Sequence, residues 1–570
     1  MPPKRVAAGS KQVVKVVEAG SGVTAKLRVG PPTSVVEPER IRHLNDEPEG
    51  SGKYVLYWVQ AAVRWEYNHA LQYAKQQANR LGIPLVCCFG VTSYPEANLR
   101  HFQFMLEGVS DLQANLRTQR IRLVVKQMPP AKLAADLAKD ASLVVTDMGY
   151  LRILRQWRAE LATALKIRLV QVETCAVVPV ETASNKREFA ARTLRPKIVK
   201  LLPKFLHKLT PVSVNKSSLG LKLRISGDAD VTSTTAIDKF LKGFKAIDRS
   251  VQPATRWFRG GATAAANQLQ EFLDNRIQYY GELRNEPDKK YTSDLSPWYH
   301  FGHISPVQAA VAVMESKAPK TGKEGFVEES VVRRELSFNF CHFDDNYDNF
   351  SCLPDWAQKT LSNHAKDKRE HEYTLKQLET AKTKDEVWNA AQNEMVITGK
   401  MANYMRMYWG KKVLEWAPTH QLAFKWLLYL NNKYELDGRD PNSFAGVAWV
   451  FGNHDRPWQK TPAFGMVRYM GQRGMYTKFK MPSYIAMVEG CRTCGGASSS
   501  GAALKRPAAA MANEDRGATV NRKPAAADDA PMPTKRARRP QSSAHPPKKA
   551  QRFYPLLRWT KELGRPRAGS

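Results

Sequence analysis

The chain contains little cysteine for its length. Seven cysteines are scattered through 570 residues, so their number is odd and their spacing follows no disulfide framework. Such a set is typical of a reducing compartment and excludes a small disulfide-stapled fold. Cys491 and Cys494 form a lone CxxC pair, without a second pair or a histidine pair at zinc spacing. We therefore interpret this pair as incidental and predict no metal site.

Two other sequence signals are absent. No apolar run reaches the roughly 20 residues that cross a bilayer, and no secretory signal opens the chain. We therefore expect no membrane partner. The first predicted strand is not followed by a GxGxxG loop, so a dinucleotide bound in the N-terminal domain is not supported.

Acidic residues are also scarce relative to basic ones. The chain has 87 Lys and Arg against 54 Asp and Glu, which gives a net charge of +33. Residues 501–570 hold 16 basic against 5 acidic side chains, and residues 1–50 hold 8 against 6, so most of the excess falls on residues 51–500. A basic body suits a polyanion, and nucleic acid is the first candidate. A surface charge that only improves solubility is the alternative.

Short apolar runs alternate with longer amphipathic stretches between residues 51 and 178. The runs predicted as strands are Tyr54–Val59, Pro84–Val91, Ile121–Val125, Leu143–Thr146 and Ile167–Val172. Amphipathic stretches that suit helices lie between them. The alternation predicts a doubly wound, mostly parallel α/β sheet, which binds ligands beyond the carboxyl ends of its strands.

The remaining chain divides by composition. Residues 1–50 are predicted to be a disordered basic segment, and residues 179–261 a connector with basic runs. Residues 262–486 have a helical pattern and form the second predicted domain. Residues 487–570 are predicted to be a disordered, basic, low-complexity tail. The basic cluster at Pro533–Pro540 indicates a nuclear localisation signal or a non-specific nucleic-acid contact, and we expect a nuclear protein, with an organelle as the alternative.

Residues 383–416 are predicted to form two helices rich in tryptophan. Thr383 and Glu386 have the spacing of a capping box at the first helix start. The stretch also holds three tryptophans, namely Trp388, Trp409 and Trp416. The last two share a helix face and lie about 10 Å apart along its axis. Three indoles so placed could pass single electrons, or they could simply pack in the core of a helical domain.

A turn rich in Thr and Ser precedes a predicted helix near residue 297. Its hydroxyls and backbone N–H groups suit a phosphate. The alternative is plain N-capping by Ser296 ahead of Pro297. Further along, Glu329 and Arg333 have the i,i+4 spacing of an ordinary ion pair on a helix.

Five distinctive phrases occur in order between residues 52 and 485. They are ASNKRE from Ala183, SPWYHFGHIS from Ser296, VVRRELSFN from Val331, DKREHEY from Asp367 and YELDGRDPN from Tyr434. With these phrases the chain resembles the photolyase/cryptochrome family, and within it the class II cyclobutane pyrimidine dimer photolyases. The resemblance implies a Rossmann-like α/β domain joined to an all-helical domain that holds FAD. It also implies a DNA repair enzyme that acts as a monomer on UV-damaged double-stranded DNA, with no obligate protein partner.

The resemblance further implies the reaction and the cofactor site. Reduced FAD absorbs light and donates one electron to the dimer, whose ring splits before the electron returns. Asn431 is implied to face the flavin N5, and Arg406 to pair with Asp437 beside the isoalloxazine. The other implied cofactor contacts are Tyr280, Thr292, Ser293, Leu295 and Ser296. A deazaflavin antenna is plausible by family, and no residue set in the sequence decides it.

The same resemblance assigns roles to the tryptophans and to a lesion pocket. Trp409, Trp388 and Trp416 match the photoreduction chain, in that order outward from the flavin. Glu329 resembles the acid that hydrogen-bonds the dimer, which it can do as a donor only when protonated. The other implied DNA or lesion contacts are Arg284, Arg333, Met407, Trp449, Arg456, Trp458 and Arg468. Of these, Arg333 stands where some relatives have a lesion-stacking tryptophan.

Two other functions would use the same flavin. A cryptochrome-like photoreceptor would keep the flavin and the tryptophans, and its basic tail would signal to a partner. A flavin-bearing DNA-binding protein would keep the basic surface and lack light-dependent turnover. The implied lesion residues Glu329, Met407 and Trp449 favour repair, because a receptor has no need for them.

Overall fold

The computed structural model of the chain describes residues 28–493, which form an α/β region followed by a helical region. The strands are β1 (Gly30–Thr33), β2 (Ile41–His43), β3 (Tyr54–Trp58), β4 (Leu85–Val91), β5 (Arg122–Gln127), β6 (Ala141–Asp147), β7 (Leu169–Val172) and β8 (His207–Leu209). The main sheet has the strand order β2-β7-β6-β3-β4-β5, and β1 pairs with β8 in a small parallel sheet. Within the main sheet only the edge strand β2 runs antiparallel to its neighbour.

Helices cover both faces of the main sheet, which is why its central strands are apolar along their whole length. Every residue of β3, β4, β6 and β7 is buried, as expected for parallel strands sandwiched between helices. The helices of this region and of the chain that follows it are α1 (His69–Leu81), α2 (Leu99–Thr118), α3 (Pro130–Ala138), α4 (Arg152–Ala164), α5 (Val180–Ala183), α6 (Ala191–Phe205) and α7 (Thr234–Gly243).

The second region is built from helices around a core rich in aromatic side chains. Its helices are α8 (Ala262–Asn275), α9 (Ile277–Leu283), α10 (Ser296–His300), α11 (Pro306–Glu315), α12 (Lys320–Val327), α13 (Arg334–Phe343), α14 (Asp355–Asn363), α15 (Leu375–Glu379), α16 (Glu386–Thr398), α17 (Asn403–Trp416), α18 (His420–Tyr434), α19 (Pro441–Val450), α20 (Gln472–Lys478) and α21 (Met481–Thr493). A π-helical segment at Glu328–Arg333 joins α12 to α13.

The fold prediction is confirmed in its main features. All five predicted strands are present, displaced by at most two residues at their ends, and they pair in parallel. The helical pattern after residue 262 is also confirmed. Within residues 28–493, every helix is too short or too polar to cross a membrane.

The predicted disorder of residues 1–50 is wrong for the part that the structure describes. Strand β2 pairs with β7, and β1 pairs with β8. The turn between them buries Arg40, whose guanidinium donates to Glu37 and to the carbonyls of Glu173, Ala176 and Val177. Partners that lie more than 130 residues away hold this segment, so its own polar composition did not reveal its structure.

The connector and the tail also differ in detail from their predictions. The connector 179–261 contains α5, α6, β8 and α7, with irregular chain between them. Helix α21 continues to Thr493, past the predicted tail boundary at residue 487. The basic cluster Pro533–Pro540 and Cys494 lie outside the described residues.

Contacts between the two regions are buried and specific. Arg64 is 1% exposed and donates to the carbonyl oxygens of Gly302 and Thr174. Gly302 has φ of +68°, and a Cβ there would lie 1.8 Å from the Ala61 oxygen, so only glycine permits this approach. Arg100 on α2 donates to the carbonyl of Tyr434 at the end of α18. These contacts fix the sheet against the helical region.

We expect Arg40→Met to destabilise the fold, because it removes the donors to three carbonyl oxygens of the distant segment 173–177 and to the nearby Glu37 carboxylate. Loss of one partner from a buried charged network costs about 3–5 kcal/mol. Arg42→Met is the matched control, since Arg42 pairs with Glu181 and both side chains are at least half exposed. The control should change the free energy of unfolding by less than about 1 kcal/mol. Equal unfolding curves for the two variants would contradict the role of Arg40.

Candidate functional site

A partly exposed arginine joins two buried carboxylates in the helical region. Arg406, in the first turn of α17, donates through Nη2 to Glu435 at 2.8 Å and to Asp437 at 2.9 Å. Both acids lie just after α18. The predicted ion pair of Arg406 with Asp437 is therefore present, and Glu435 is a second acid that the sequence prediction missed.

The two acids of this cluster titrate in opposite directions. Burial favours neutral Asp437, but Arg406 and Lys400 outweigh it and hold the Asp437 pKa below its usual value. Glu435 is fully buried, and burial raises its pKa from 4.5 to about 8 despite Arg406. Its Oε1 atom has no hydrogen-bond partner among residues 28–493. At neutral pH the cluster therefore keeps one ionised and one protonated carboxyl.

The predicted phosphate cradle adjoins this cluster. Ser296 begins α10, and the preceding Leu295 makes no side-chain cap, so capping by Ser296 is not what the structure has. The Ser296 hydroxyl instead lies 3.5 Å from Lys400 Nζ. Lys400 also lies 3.5 Å from Asp294, which receives hydrogen bonds from Arg276 and Thr292.

The other three predicted cofactor residues, Leu295, Ser293 and Tyr280, have different surroundings. Leu295 is fully buried among apolar side chains, so only its main chain could meet a ligand. Ser293 offers its carbonyl to Gln268. Tyr280 on α9 is 5% exposed and has the Arg284 guanidinium over its ring at 5.8 Å.

Asn431 lies in the last turn of α18 and connects to a polar network. It is 6% exposed, and its Nδ2 lies 3.3 Å from Asn432 Oδ1. Asn432 in turn donates to Glu96 at 2.5 Å and accepts from the Arg439 N–H at 2.9 Å. The network fixes the segment that carries Asn431 against the loop after β4.

The three tryptophans form a continuous row. Trp388 lies between the other two, stacked on Trp409 at 6.4 Å between centroids and edge-on to Trp416 at 5.5 Å. Trp388 Nε1 donates to the Trp409 carbonyl, and Trp409 Nε1 donates to Gln392. The predicted order 409, 388, 416 is the spatial order. The first helix begins differently from its prediction, since Asp385 and not Thr383 caps α16.

Glu329 belongs to the π-helical segment and faces Arg284. Its carboxylate lies 3.4 Å from Arg284 Nη2, and both side chains are partly exposed. The predicted helix pair of Glu329 with Arg333 is wrong, because Arg333 bonds Glu328 at 2.8 Å. A π-helix inserts a residue into the turn and rotates the side chains that follow, and such segments are frequent at functional sites. Glu329 is thereby turned toward α9.

Met407 and Trp449 lie at the edge of the core near a buried lysine. Lys411, one turn after Met407 on α17, is fully buried and lies 4.9 Å over the Trp449 ring. It donates to the Val450 carbonyl at 2.5 Å. Burial lowers the Lys411 pKa to about 7, and the carboxylate of Asp455 only partly offsets this. Sequence reasoning missed Lys411, since a lysine beside another lysine usually indicates an exposed helix face.

Trp458 lies between two predicted DNA contacts. The guanidinium of Arg456 lies 4.9 Å from its ring centroid and that of Arg468 lies 4.7 Å from it. The indole N–H donates to Asp455 at 3.2 Å. Two cations on a partly exposed indole make a surface suited to bases and phosphates.

A cavity lies beyond the carboxyl ends of β3, β4 and β6. Its lining includes Gln60, Phe89, Tyr150 and Trp157 from the sheet side, and Phe301 and Arg439 from the helical side. The α/β pattern predicted a ligand position at this edge of the sheet, and no residue motif identified its lining.

Comparison with known proteins places these observations in a family. The family model described as DNA photolyase matches residues 55–214. A deoxyribodipyrimidine photo-lyase of Methanothermobacter thermautotrophicus is 46% identical over 459 residues, which cover 80% of this chain and 99% of that protein. The proteins of the same name from Potorous tridactylus and Arabidopsis thaliana are 36% and 37% identical and are covered over 86% and 94% of their lengths.

Solved structures share the fold at low sequence identity. A class III photolyase from Agrobacterium tumefaciens aligns with a TM-score of 0.56 at 18% identity, over 77% of this chain and 87% of its own. A Synechocystis cryptochrome aligns with a TM-score of 0.58 at 15% identity, over 76% and 87%. The structural matches establish the architecture, and the identities over nearly whole relatives establish descent. The chain belongs to the DNA photolyase family.

Proposed function

We propose that this protein repairs cyclobutane pyrimidine dimers in DNA by light-driven single-electron transfer from FAD, as a class II photolyase does. The observation that supports this proposal is the close spacing of three predicted site residues on helix α17. Within four residues, α17 presents Arg406 to the buried acids, Met407 to the neighbourhood of Trp449, and Trp409 to the tryptophan row. A cofactor site, a lesion site and an electron path thus meet on a single helical turn. The related photo-lyases support the repair function.

The residues around Arg406 fit FAD. The Glu435 Oε1 atom is buried without a partner among residues 28–493, and the Ser296 hydroxyl is free of any capping role. Lys400 and Arg276 supply positive charge beside the turn that would hold the phosphates. Buried charges of this kind need a polar ligand or one another. A solved relative from Sulfolobus tokodaii is described as containing two FAD molecules.

When bound and reduced, FAD supplies the electron that splits the dimer. The protein's own residues position the reacting groups and shield them from water. Protonated Glu435 leaves Arg406 and Asp437 as a neutral pair, so the pocket does not add a second negative charge beside an anionic cofactor. Asn431 offers an amide at the same place. Glu329 and Arg284 form the polar wall of the lesion pocket, and Met407 and Trp449 form its apolar wall.

We further propose that the damaged dinucleotide leaves the duplex to enter this pocket. Trp458, with Arg456 and Arg468 on its ring, is suited to the gap that remains, because an indole stacks on unpaired bases and a guanidinium contacts phosphate. The cavity at the carboxyl ends of the strands is the proposed site of an antenna chromophore such as a deazaflavin. Its apolar and aromatic lining suits a flat ring system.

The decisive test is repair by the purified protein. Dithionite-reduced, FAD-loaded protein is mixed with an oligonucleotide that carries one thymine cyclobutane dimer, and thymine absorbance is followed under blue light. We expect light-dependent recovery with this substrate, and none in the dark or with a 6-4 photoproduct. Protein that holds and photoreduces FAD yet restores no dimer would instead support a photoreceptor.

We expect Trp409→Phe to abolish most photoreduction of oxidised FAD, because it removes the first donor of the row. Repair by dithionite-reduced variant should remain close to that of the unsubstituted protein. Trp426→Phe is the matched control, since Trp426 packs against the same core and makes no ring contact with the row within the described residues. The measurement is loss of oxidised-flavin absorbance under blue light. Equal rates for the two variants would rule out the electron path.

We expect Glu435→Gln to change how stability depends on pH. Between pH 4.5 and about 8 the folded protein keeps a proton on Glu435 that the unfolded chain has released, so stability falls as pH rises through this window. The variant lacks this loss, so its stability relative to the unsubstituted protein should increase from pH 5 to 8, by at most ~1.4 kcal/mol per pH unit. Thermal unfolding of the flavin-free protein measures it.

Asp437→Asn is the control for this experiment. The Asp437 pKa is held low, so its carboxyl stays ionised in both states from pH 5 to 8. The Asp437 carboxylate also helps to raise the Glu435 pKa, so the stability difference of this variant should rise over that range less steeply than that of Glu435→Gln. A flat difference for Glu435→Gln would mean that Glu435 is ionised in the folded protein.

A further inference from the structure

One large apolar side chain stands exposed beside the proposed lesion site without a described role. Phe189 is 52% exposed, although its neighbours on both sides are more buried. A single exposed apolar side chain is common on protein surfaces, so its exposure does not by itself indicate a partner. Its position and surroundings indicate one.

The segment that carries Phe189 is rigidly held. The Glu188 N–H donates to Asn339 Oδ1 at 2.7 Å, and Asn339 Nδ2 donates to the Lys186 carbonyl at 2.9 Å. The Phe189 carbonyl accepts from His454 Nδ1 at 2.9 Å. The ring is therefore presented outward from a fixed main chain, which lowers the entropy cost of binding.

Phe189 is linked to two elements of the proposed DNA-binding site. Its carbonyl is bonded by His454, which precedes Arg456 by two residues in the loop that carries Trp458. Phe189 also lies two residues before α6, whose Arg195 makes two 2.8 Å bonds to Glu328 in the π-helical segment that bears Glu329. Short runs of chain thus join Phe189 to the loop on one side and to the π-helical segment on the other.

The charge around Phe189 suits a nucleic acid. Lys186 and Arg192 are exposed close to it in sequence, whereas the acid of this segment, Glu188, is buried and paired with Lys197. Arg333 lies near enough to His454 to lower the pKa of that imidazole, after the larger effect of its burial. An aromatic ring among cations is the arrangement that binds single-stranded bases.

We infer that Phe189 is a stacking platform for an unpaired base of the damaged duplex, beside the base pair that opens when the lesion leaves. This inference rests on the proposed function. Stacking adds affinity without adding charge. It therefore predicts a specific signature in which the dissociation constant changes and its salt dependence does not.

The test compares Phe189→Ala, Phe189→Leu and Phe189→Trp in binding to a dimer-containing duplex. Alanine and leucine should each raise the dissociation constant about 5- to 50-fold, and tryptophan should preserve it. The slope of log affinity against log salt should stay unchanged. Arg192→Ala should instead reduce that slope, because it removes a cation. With 2-aminopurine opposite the lesion, binding should no longer quench the fluorescence of this base in Phe189→Ala and should still quench it in Phe189→Trp.

Leu219→Ala controls for loss of an exposed apolar side chain elsewhere, since Leu219 is 43% exposed. The inference would be overturned if Phe189→Ala bound as tightly as the unsubstituted protein. It would also be overturned if Phe189→Leu kept full affinity, because leucine cannot stack as an aromatic ring does. Failure of the proposed function appears differently, because the unsubstituted protein would then neither prefer nor repair the dimer.

Discussion

The bond from Arg406 to its two acids sets the geometry of the helical region. It ties the first turn of α17 to the loop that follows α18, and so fixes Trp409 relative to Asn431. Burial and the neighbouring Asp437 carboxylate raise the pKa of Glu435 more than Arg406 and Lys400 lower it, so this acid keeps its proton. The cluster therefore acts as a structural fixture and also determines the charge that any ligand meets. A well-packed apolar substitute could hold the helices together, but it could not set that charge.

The elements with long, regular patterns could be predicted from sequence. Apolar runs four to eight residues long predicted the parallel strands, because such strands are buried on both faces and are therefore apolar along their length. The relative position of Trp409 and Trp416 could also be predicted, since both lie on one helix whose period is fixed. Only the position of Trp388 between them depended on how α16 packs against α17, and there the family resemblance supplied the order.

Features that depend on distant partners could not be predicted. The strands near residue 40 are held by carbonyls from residues 173 to 177, and polar composition alone suggested disorder. Arg333 pairs with Glu328 and not with Glu329, because the π-helical turn changes the angle per residue that the i,i+4 rule assumes. Lys411 and Glu435 were missed for the same reason, since burial of a charge is a property of the whole fold.

The network from Asn431 through Asn432 to Arg439 has a consequence for the cavity beyond the sheet. Arg439 lines this cavity, while Asn431 belongs to the proposed flavin site, and hydrogen bonds of 2.8 to 3.3 Å connect them. The lining of the cavity is thus joined to the proposed flavin site by a short chain of hydrogen bonds. A ring system in the cavity and another beside Asn431 would both be positioned by these bonded residues, so the fold would set their separation and mutual tilt. Excitation captured by one would then reach the other with an efficiency that the fold determines.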